Sequence, residues 1–127
     1  PVEMARPAQR VTEEDAEVRI LEPAAPVFTT PNRIGPADFE GWVQERGLYF
    51  LSTWDAAYTP LLEMNDYGEA ATRGSLLVAP VGQGLYVYAA LSFFRQWGSG
   101  VPGAYRLWAN LLSLTGDSWR VFRPDGE

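Results

Sequence analysis

Four prolines, at positions 23, 26, 31 and 36, fall within a stretch of fourteen residues near the start of this chain. Each removes a backbone donor and fixes its own φ, and each pushes the preceding residue towards extended geometry. No long helix can form across that stretch, so regular structure must be sought on either side of it. Upstream, residues 1–17 are polar and acid-rich (Glu13, Glu14, Asp15, Glu17) and predict an extended arm or linker, with Val18 to Leu21 as a first short strand. Downstream, Gly35-Pro36-Ala37-Asp38 has Pro at a first helical position and an acid in the first turn. Phe39, Trp42 and Val43 extend that helical spacing towards Glu45, with Gly47 as the stop.

The middle of the chain has a strand period. Leu48–Leu51 and Tyr58–Met64 are expected strands, and Asn65-Asp66-Tyr67-Gly68 is turn chemistry. Ser75–Ala79 and Leu85–Leu91 are joined by a short Gly-bearing loop and predict a hairpin. Leu85-Tyr86-Val87-Tyr88 mixes β-branched and aromatic side chains, which suit a half-buried pleated surface. After Ser99-Gly100-Val101-Pro102, the residues Ala104, Leu107, Trp108, Leu111 and Leu112 form one helical stripe. Gly116 is expected to end that helix, Trp119 to Phe122 to form a last short strand, and the final residues to fray. The expected class is α/β in the broad sense (α+β): a mixed, largely antiparallel sheet with a C-terminal helix. Residues 1–17 form the arm and residues 18–127 a single domain.

The chain contains no Cys, His or Lys, and all ten of its basic residues are Arg. That removes thiolate nucleophiles, zinc knuckles, imidazole bases and Schiff-base amines together. Ser75 and Ser92 lack a base, and Gly82-Gln83-Gly84 lacks the spacing of a phosphate loop. No metal or cofactor is expected. A net charge of −6 argues against nucleic acid and anionic membrane surfaces as partners. No apolar run approaches the ~20 residues of a membrane span.

Carboxylate chemistry stays open. Asp38, Glu40, Glu45, Asp55, Asp66 and Glu69 could supply a glycosidase-type acid pair, and Asn65–Glu69 could supply an oxygen-ligand calcium site. Arg46 and Arg95 stand beside aromatic residues, so Arg95 or Arg106 could pair with Glu45, Asp38 or Asp55, either as an internal lattice or as a polar pocket. Trp42, Trp54 and Trp97, with Tyr58 and Tyr67, could stack on sugars, or serve as core and interface. The candidate binding set is therefore Trp42, Glu45, Arg46, Trp54, Arg95 and Trp97.

Two longer runs carry a resemblance. Gly41-Trp42-Val43-Gln44-Glu45-Arg46-Gly47-Leu48-Tyr49-Phe50 is one, and Ser92-Phe93-Phe94-Arg95-Gln96 with Gly100-Val101-Pro102-Gly103-Ala104-Tyr105-Arg106-Leu107 and Ala109–Leu112 is the other. With Arg10–Glu14 and Pro31–Ile34, they make most of the chain resemble the C-terminal region of bacterial PIG-L (LmbE-like) deacetylases that carry a glutamine-amidotransferase-like domain. The resemblance implies part of a class I amidotransferase-like, flavodoxin-like fold within a larger chain. It implies a parent zinc-dependent N-deacetylase acting on an N-acetylated sugar or similar amide, and an exported or cell-envelope location. Neither the family's metal ligands nor the Cys-His-Glu triad of active amidotransferases has a counterpart here. The chain also departs from the pattern at Asn65–Glu69, at Trp97-Gly98-Ser99, and in lacking histidines near Ala8 and Ala25. The function expected is a non-catalytic accessory domain that packs on the deacetylase domain, on the missing half of its own fold or on another copy. The alternatives are a carbohydrate-binding module presenting an N-acetylated glycan and a small hydrolase using two acids.

Overall fold

The computed structural model describes residues 1–123. Nine short strands come first and three helices last: β1 (Val2–Glu3), β2 (Gln9–Val11), β3 (Val18–Ile20), β4 (Gly47–Phe50), β5 (Thr53–Trp54), β6 (Thr59–Pro60), β7 (Leu62–Met64), β8 (Leu76–Val81), β9 (Gly84–Ala89), α1 (Phe93–Gly98), α2 (Pro102–Ser113) and α3 (Gly116–Phe122). Single 3-10 turns at Pro26–Phe28 and Pro36–Phe39 are the only helical structure that the proline-rich stretch forms among the described residues. The class is α+β with small antiparallel sheets. β1 pairs with β5, β2 with β4 and β3 with β7, while β6, β8 and β9 form a three-stranded sheet. Every strand pair among the described residues is antiparallel.

The first seventeen residues carry β1 and β2 and turn at Glu14–Asp15, and both strands are laid onto the body. Val2 stands opposite Trp54, and Gln9 opposite Phe50. Their acids serve the fold too: Glu13 accepts from the Tyr67 amide and Glu14 from the Gln44 amide, both at 2.7 Å. Asp66 accepts from the Thr12 and Glu13 amides at 2.9 and 2.8 Å and from the Thr12 hydroxyl at 3.1 Å.

The hairpin forms as its pattern predicts. Val81 pairs with Gly84 across a two-residue turn, and Gly82 takes the positive φ of 57° that such a turn needs at its first position. Pro80 sits inside β8 without cost to the ladder. Counting rungs from the Val81–Gly84 pair, it falls on a rung where backbone groups point away from the partner strand.

Other elements differ from expectation. The helix expected from Pro36 towards Glu45 stops at Phe39, because the chain turns through a positive φ at Gly41 and again at Gln44. The single strand expected over Tyr58–Met64 is split at Leu61, whose amide reaches the Leu76 carbonyl at 2.9 Å. Gly116 begins a helix and does not cap one. The Thr115 hydroxyl accepts from the Ser118 amide at 3.1 Å, and the Thr115 amide donates to the Ser118 hydroxyl oxygen at 3.2 Å in return. Trp119 to Phe122, expected as a strand, lie in that helix, which turns Trp119 into the core. The fraying expected of the final residues concerns 124–127, outside the described residues.

The core gathers Val11, Phe28, Trp42, Phe50, Leu61, Met64, Leu76, Val78, Phe93, Leu107 and Trp119. On α2 the buried arc is Gly103, Ala104, Leu107 and Asn110, and Leu112 lies outside it. The arc is rotated from the apolar stripe because a glycine and an asparagine, not two leucines, face the proline-rich segment. A Cβ added at Gly103 would stand 1.7 Å from the Asp38 carbonyl oxygen, so the helix reaches that backbone only through glycine.

Candidate functional site

The six residues singled out from the sequence do not form one cleft. Trp42 is 2% exposed, tilted against Phe39 and Phe93 with centroids at 5.5 and 5.8 Å, and its indole donates to the Asp38 carbonyl at 2.9 Å. It is a core residue, which corrects its reading as a stacking surface: a ring enclosed by two others has no free face for a sugar. Trp97 lies in the same cluster, stacked on Phe93 at 5.8 Å and edge-on to Trp108 at 5.1 Å, with its indole N–H buried. Trp54 is half-buried on the separate β1–β5 ladder.

Arg46 is also internal, at 5% exposure. Its guanidinium donates to the Ala16 carbonyl from Nε and Nη2 at 3.1 and 2.7 Å, and to the Phe39 carbonyl from Nη1. Burial pushes its pKa down and Asp15 partly restores it. An arginine keeps its proton even so. Arg46 therefore ties two irregular segments together by their backbone oxygens, and its donors are not offered to a ligand.

Glu45 and Arg95 do meet, at 2.5 Å, with the Ser92 hydroxyl 3.5 Å from the same carboxylate oxygen. The Arg95 guanidinium carbon lies 4.8 Å from the centroid of the Phe94 ring. Asp38 and Arg106 form a second pair at 2.8 Å, while Asp55 accepts from the Ala57 amide in a local turn. Among the described residues, no three or more carboxylates gather as a metal site. Asp66, in the segment considered for calcium, already accepts four close bonds from Thr12 and Glu13. Burial pushes its pKa up, but the hydrogen bonds from Glu13 and Thr12 outweigh burial and hold the carboxyl below its ordinary value.

The exposed feature that stands out is built on β9. Tyr86 and Tyr88 alternate with Leu85 and Val87 and so share one face of the strand. They stand opposite Ala79 and Leu77 of β8, which face away from Leu76 and Val78 of the main core. The Tyr58 ring lies edge-on to Tyr86 at 6.2 Å. The Tyr88 hydroxyl donates to the Tyr49 carbonyl at 2.6 Å, and burial, with Tyr86 nearby, pushes its pKa up. Tyr58, Tyr86 and Tyr88 thus lie together as a strip on the sheet, and the strip reaches the backbone of Tyr49 at its end.

At its end, Leu48, Tyr49, Ala90, Leu91, Ser92 and Phe94 line a shallow apolar groove of about 210 Å³ next to the Glu45–Arg95 pair. Tyr49 is 63% exposed and Phe94 62%. Tyr49 sits in a bulge of β4, with two residues set against Arg10 of β2, and holds a φ of 62°. A bulky residue in the left-handed region is held at a cost, and bulges re-aim side chains. Here the bulge leaves an aromatic ring in solvent. The strip was readable in part from the alternation at 85–88, but nothing in the sequence marks the conformation of Tyr49.

Among the described residues, no helix is long and apolar enough to cross a membrane. No family model, curated protein or solved structure matches the chain.

Proposed function

We propose that this chain is a non-catalytic interaction domain whose docking surface is the tyrosine strip of β9 together with the groove beside Glu45–Arg95. The single observation that carries the reading is the run Tyr58, Tyr86 and Tyr88, whose last hydroxyl reaches the backbone of Tyr49, with the Tyr86 and Tyr49 side chains about half or more exposed. Tyrosine supplies large contact area at low entropic cost and keeps a polar tip for water or a partner, and it is enriched at interfaces for that reason. The absence of Cys, His and Lys from the chain supports a role outside catalysis.

The partner this reading favours is the deacetylase domain of a larger PIG-L-type chain, or the missing half of an amidotransferase-like domain of which this is the C-terminal part. The support is the resemblance of the 41–50 and 92–112 runs. The domain would then position or stabilise a zinc N-deacetylase without touching its chemistry.

A second reading is a carbohydrate-binding module, favoured by exposed tyrosines beside an ion pair. Against it, Tyr58 and Tyr86 meet at 88° and do not make a flat platform, and Trp42 is enclosed. Calorimetry separates the two. The chain is titrated with the deacetylase domain supplied in trans and with a chitooligosaccharide panel, each also against Tyr58→Ala/Tyr86→Ala. Binding of the domain, lost in the variant while circular dichroism is unchanged, supports docking. Binding of sugar alone replaces docking with glycan recognition.

A further inference from the structure

The β8–β9 register fixes which backbone groups of β9 are used. The Ala90 amide bonds to the Ser75 carbonyl at 2.8 Å, which makes 75–90, 77–88, 79–86 and 81–84 the bonded rungs. On the other side of β8, the Leu61 amide reaches the Leu76 carbonyl, as this phase requires. It follows that the N–H and C=O groups of Leu85, Val87 and Ala89 point out of the sheet, away from β8.

β9 is the edge strand of its sheet. Among the described residues, no hydrogen bond reaches those outward groups. The nearby helix α3 meets the hairpin at its turn, where Arg120 donates to the Gln83 carbonyl at 3.3 Å. Proteins ordinarily blunt such an edge with Lys, Pro, an inward-pointing charge or a bulge. Gly84-Leu85-Tyr86-Val87-Tyr88-Ala89 contains none of these, and its pairing with β8 is regular throughout.

We propose that the edge of β9 is completed by β9 of a second copy of this chain, antiparallel about a two-fold axis at Val87. The choice of a second copy rests on the strand's own register. A two-fold at Val87 makes Val87 a bonded pair with its counterpart and sets Leu85 opposite Ala89, so all the outward groups are satisfied at once. The same axis sets Tyr86 opposite Tyr88 of the other copy on the tyrosine face, as closely spaced aromatic cross-strand pairs. No charge faces a like charge along the strand. The contact is isologous and closes at two, so it does not propagate into a filament. The two sheets become one continuous six-stranded sheet, β6-β8-β9 followed by its mirror in order, and the tyrosine strips join across the axis. This pairing uses the strand edge and is independent of which partner the tyrosine face meets.

Both copies carry a net charge of −6, so their long-range interaction is repulsive and screened by salt. Light scattering on the intact chain should therefore show a monomer–dimer equilibrium that shifts to dimer with concentration and with added sodium chloride. Ala89→Pro removes one outward N–H from an exposed position and leaves every hairpin rung intact, so it should give a monomer with an unchanged far-ultraviolet spectrum. The absence of native cysteine allows a test that does not depend on that variant folding. Tyr86→Cys and Tyr88→Cys chains, mixed and oxidised, should cross-link to a dimer, while each alone should not.

A chain that stays monomeric into the millimolar range, with no cross-link in the mixture, overturns the proposal. Cross-linking of Tyr86→Cys alone as readily as the mixture also overturns it, by placing the contact in another register. Binding of an extended peptide to β9 of a chain that stays monomeric replaces the second copy as the occupant. Failure of the parent chain to bind the deacetylase domain, with the dimer intact, sinks the docking reading alone.

Discussion

The proline-rich segment with its flanks and the β8–β9 hairpin solve the same problem in opposite ways. The segment from Val27 to Arg46 has almost no ladder of its own, so its backbone is held by side chains from elsewhere. Asn110 of α2 donates to the Val27 and Asn32 carbonyls, both at 2.7 Å, and accepts from the Asn32 amide at 2.9 Å. Gln96 of α1 accepts from the Val43 amide at 2.7 Å and returns a bond to its carbonyl at 3.0 Å. Arg106 spans Asp38 and the Arg33 carbonyl. The hairpin satisfies itself rung by rung and leaves its outer side chains, and one edge, unspent. Polar residues in unusual places are therefore poor guides to a ligand site in this molecule. They mark where irregular backbone has to be satisfied. The surface available to a partner lies where the backbone makes no demand on side chains.

The largest losses of stability should therefore fall in the clamped region. Arg46→Met strips buried carbonyls of their only donors from this side chain, and a loss of about 3 kcal/mol is expected, read by urea unfolding. Gly103→Ala should cost about 2–3 kcal/mol, because the added methyl must push α2 off Asp38. Asn110→Ala, which leaves buried groups unpaired in both segments it joins, should cost about 2 kcal/mol.

Acid sharpens the comparison at the N-terminal strand. Asp66 has a folded pKa held below its ordinary value. Its contribution is fully present above that ordinary value and is lost as pH falls through the lower, folded one. Asp66→Asn should be less stable than the parent at neutral pH and should show a flatter fall in stability below about pH 4. On the hairpin side, Tyr86→Ala should change stability by about 1 kcal/mol or less while removing partner binding. The smallest shift is expected at Tyr49→Gly. Relief of the positive φ should offset the lost ring contacts to within about 1 kcal/mol, while binding at the groove falls.

Elements whose information is local could be read from the sequence, and elements held at a distance could not. The hairpin was legible from its period of two and the glycines at its turn, and α2 from its apolar spacing. The pairings of β1 and β2 were not, because two- and three-residue strands carry no periodic signal and their partners lie some forty to fifty residues away. The end of α2 and the start of α3 were misread because Gly116 suits a helix exit as well as an entry. What decides it is Thr115 acting with Ser118, a pair outside the Ser/Thr-to-Glu form of the capping box. For the candidate site, the Glu45–Arg95 contact followed from residue chemistry. Trp42 and Arg46 could not be separated from surface residues without knowing that the chain folds over them.

The clamp of Asn110 also sets an order of events. Its bonds to Val27 and Asn32 span 83 and 78 residues, and those of Gln96 to Val43 span 53. During synthesis the chain emerges from its N-terminus, so the proline-rich segment leaves the ribosome long before the side chains that satisfy its carbonyls exist. The hairpin, closed by contacts a few residues apart, can form as soon as it is free. The segment from Val27 to Arg46 should be among the last parts of this chain to gain protection from hydrogen exchange, although it is made before the helices that hold it.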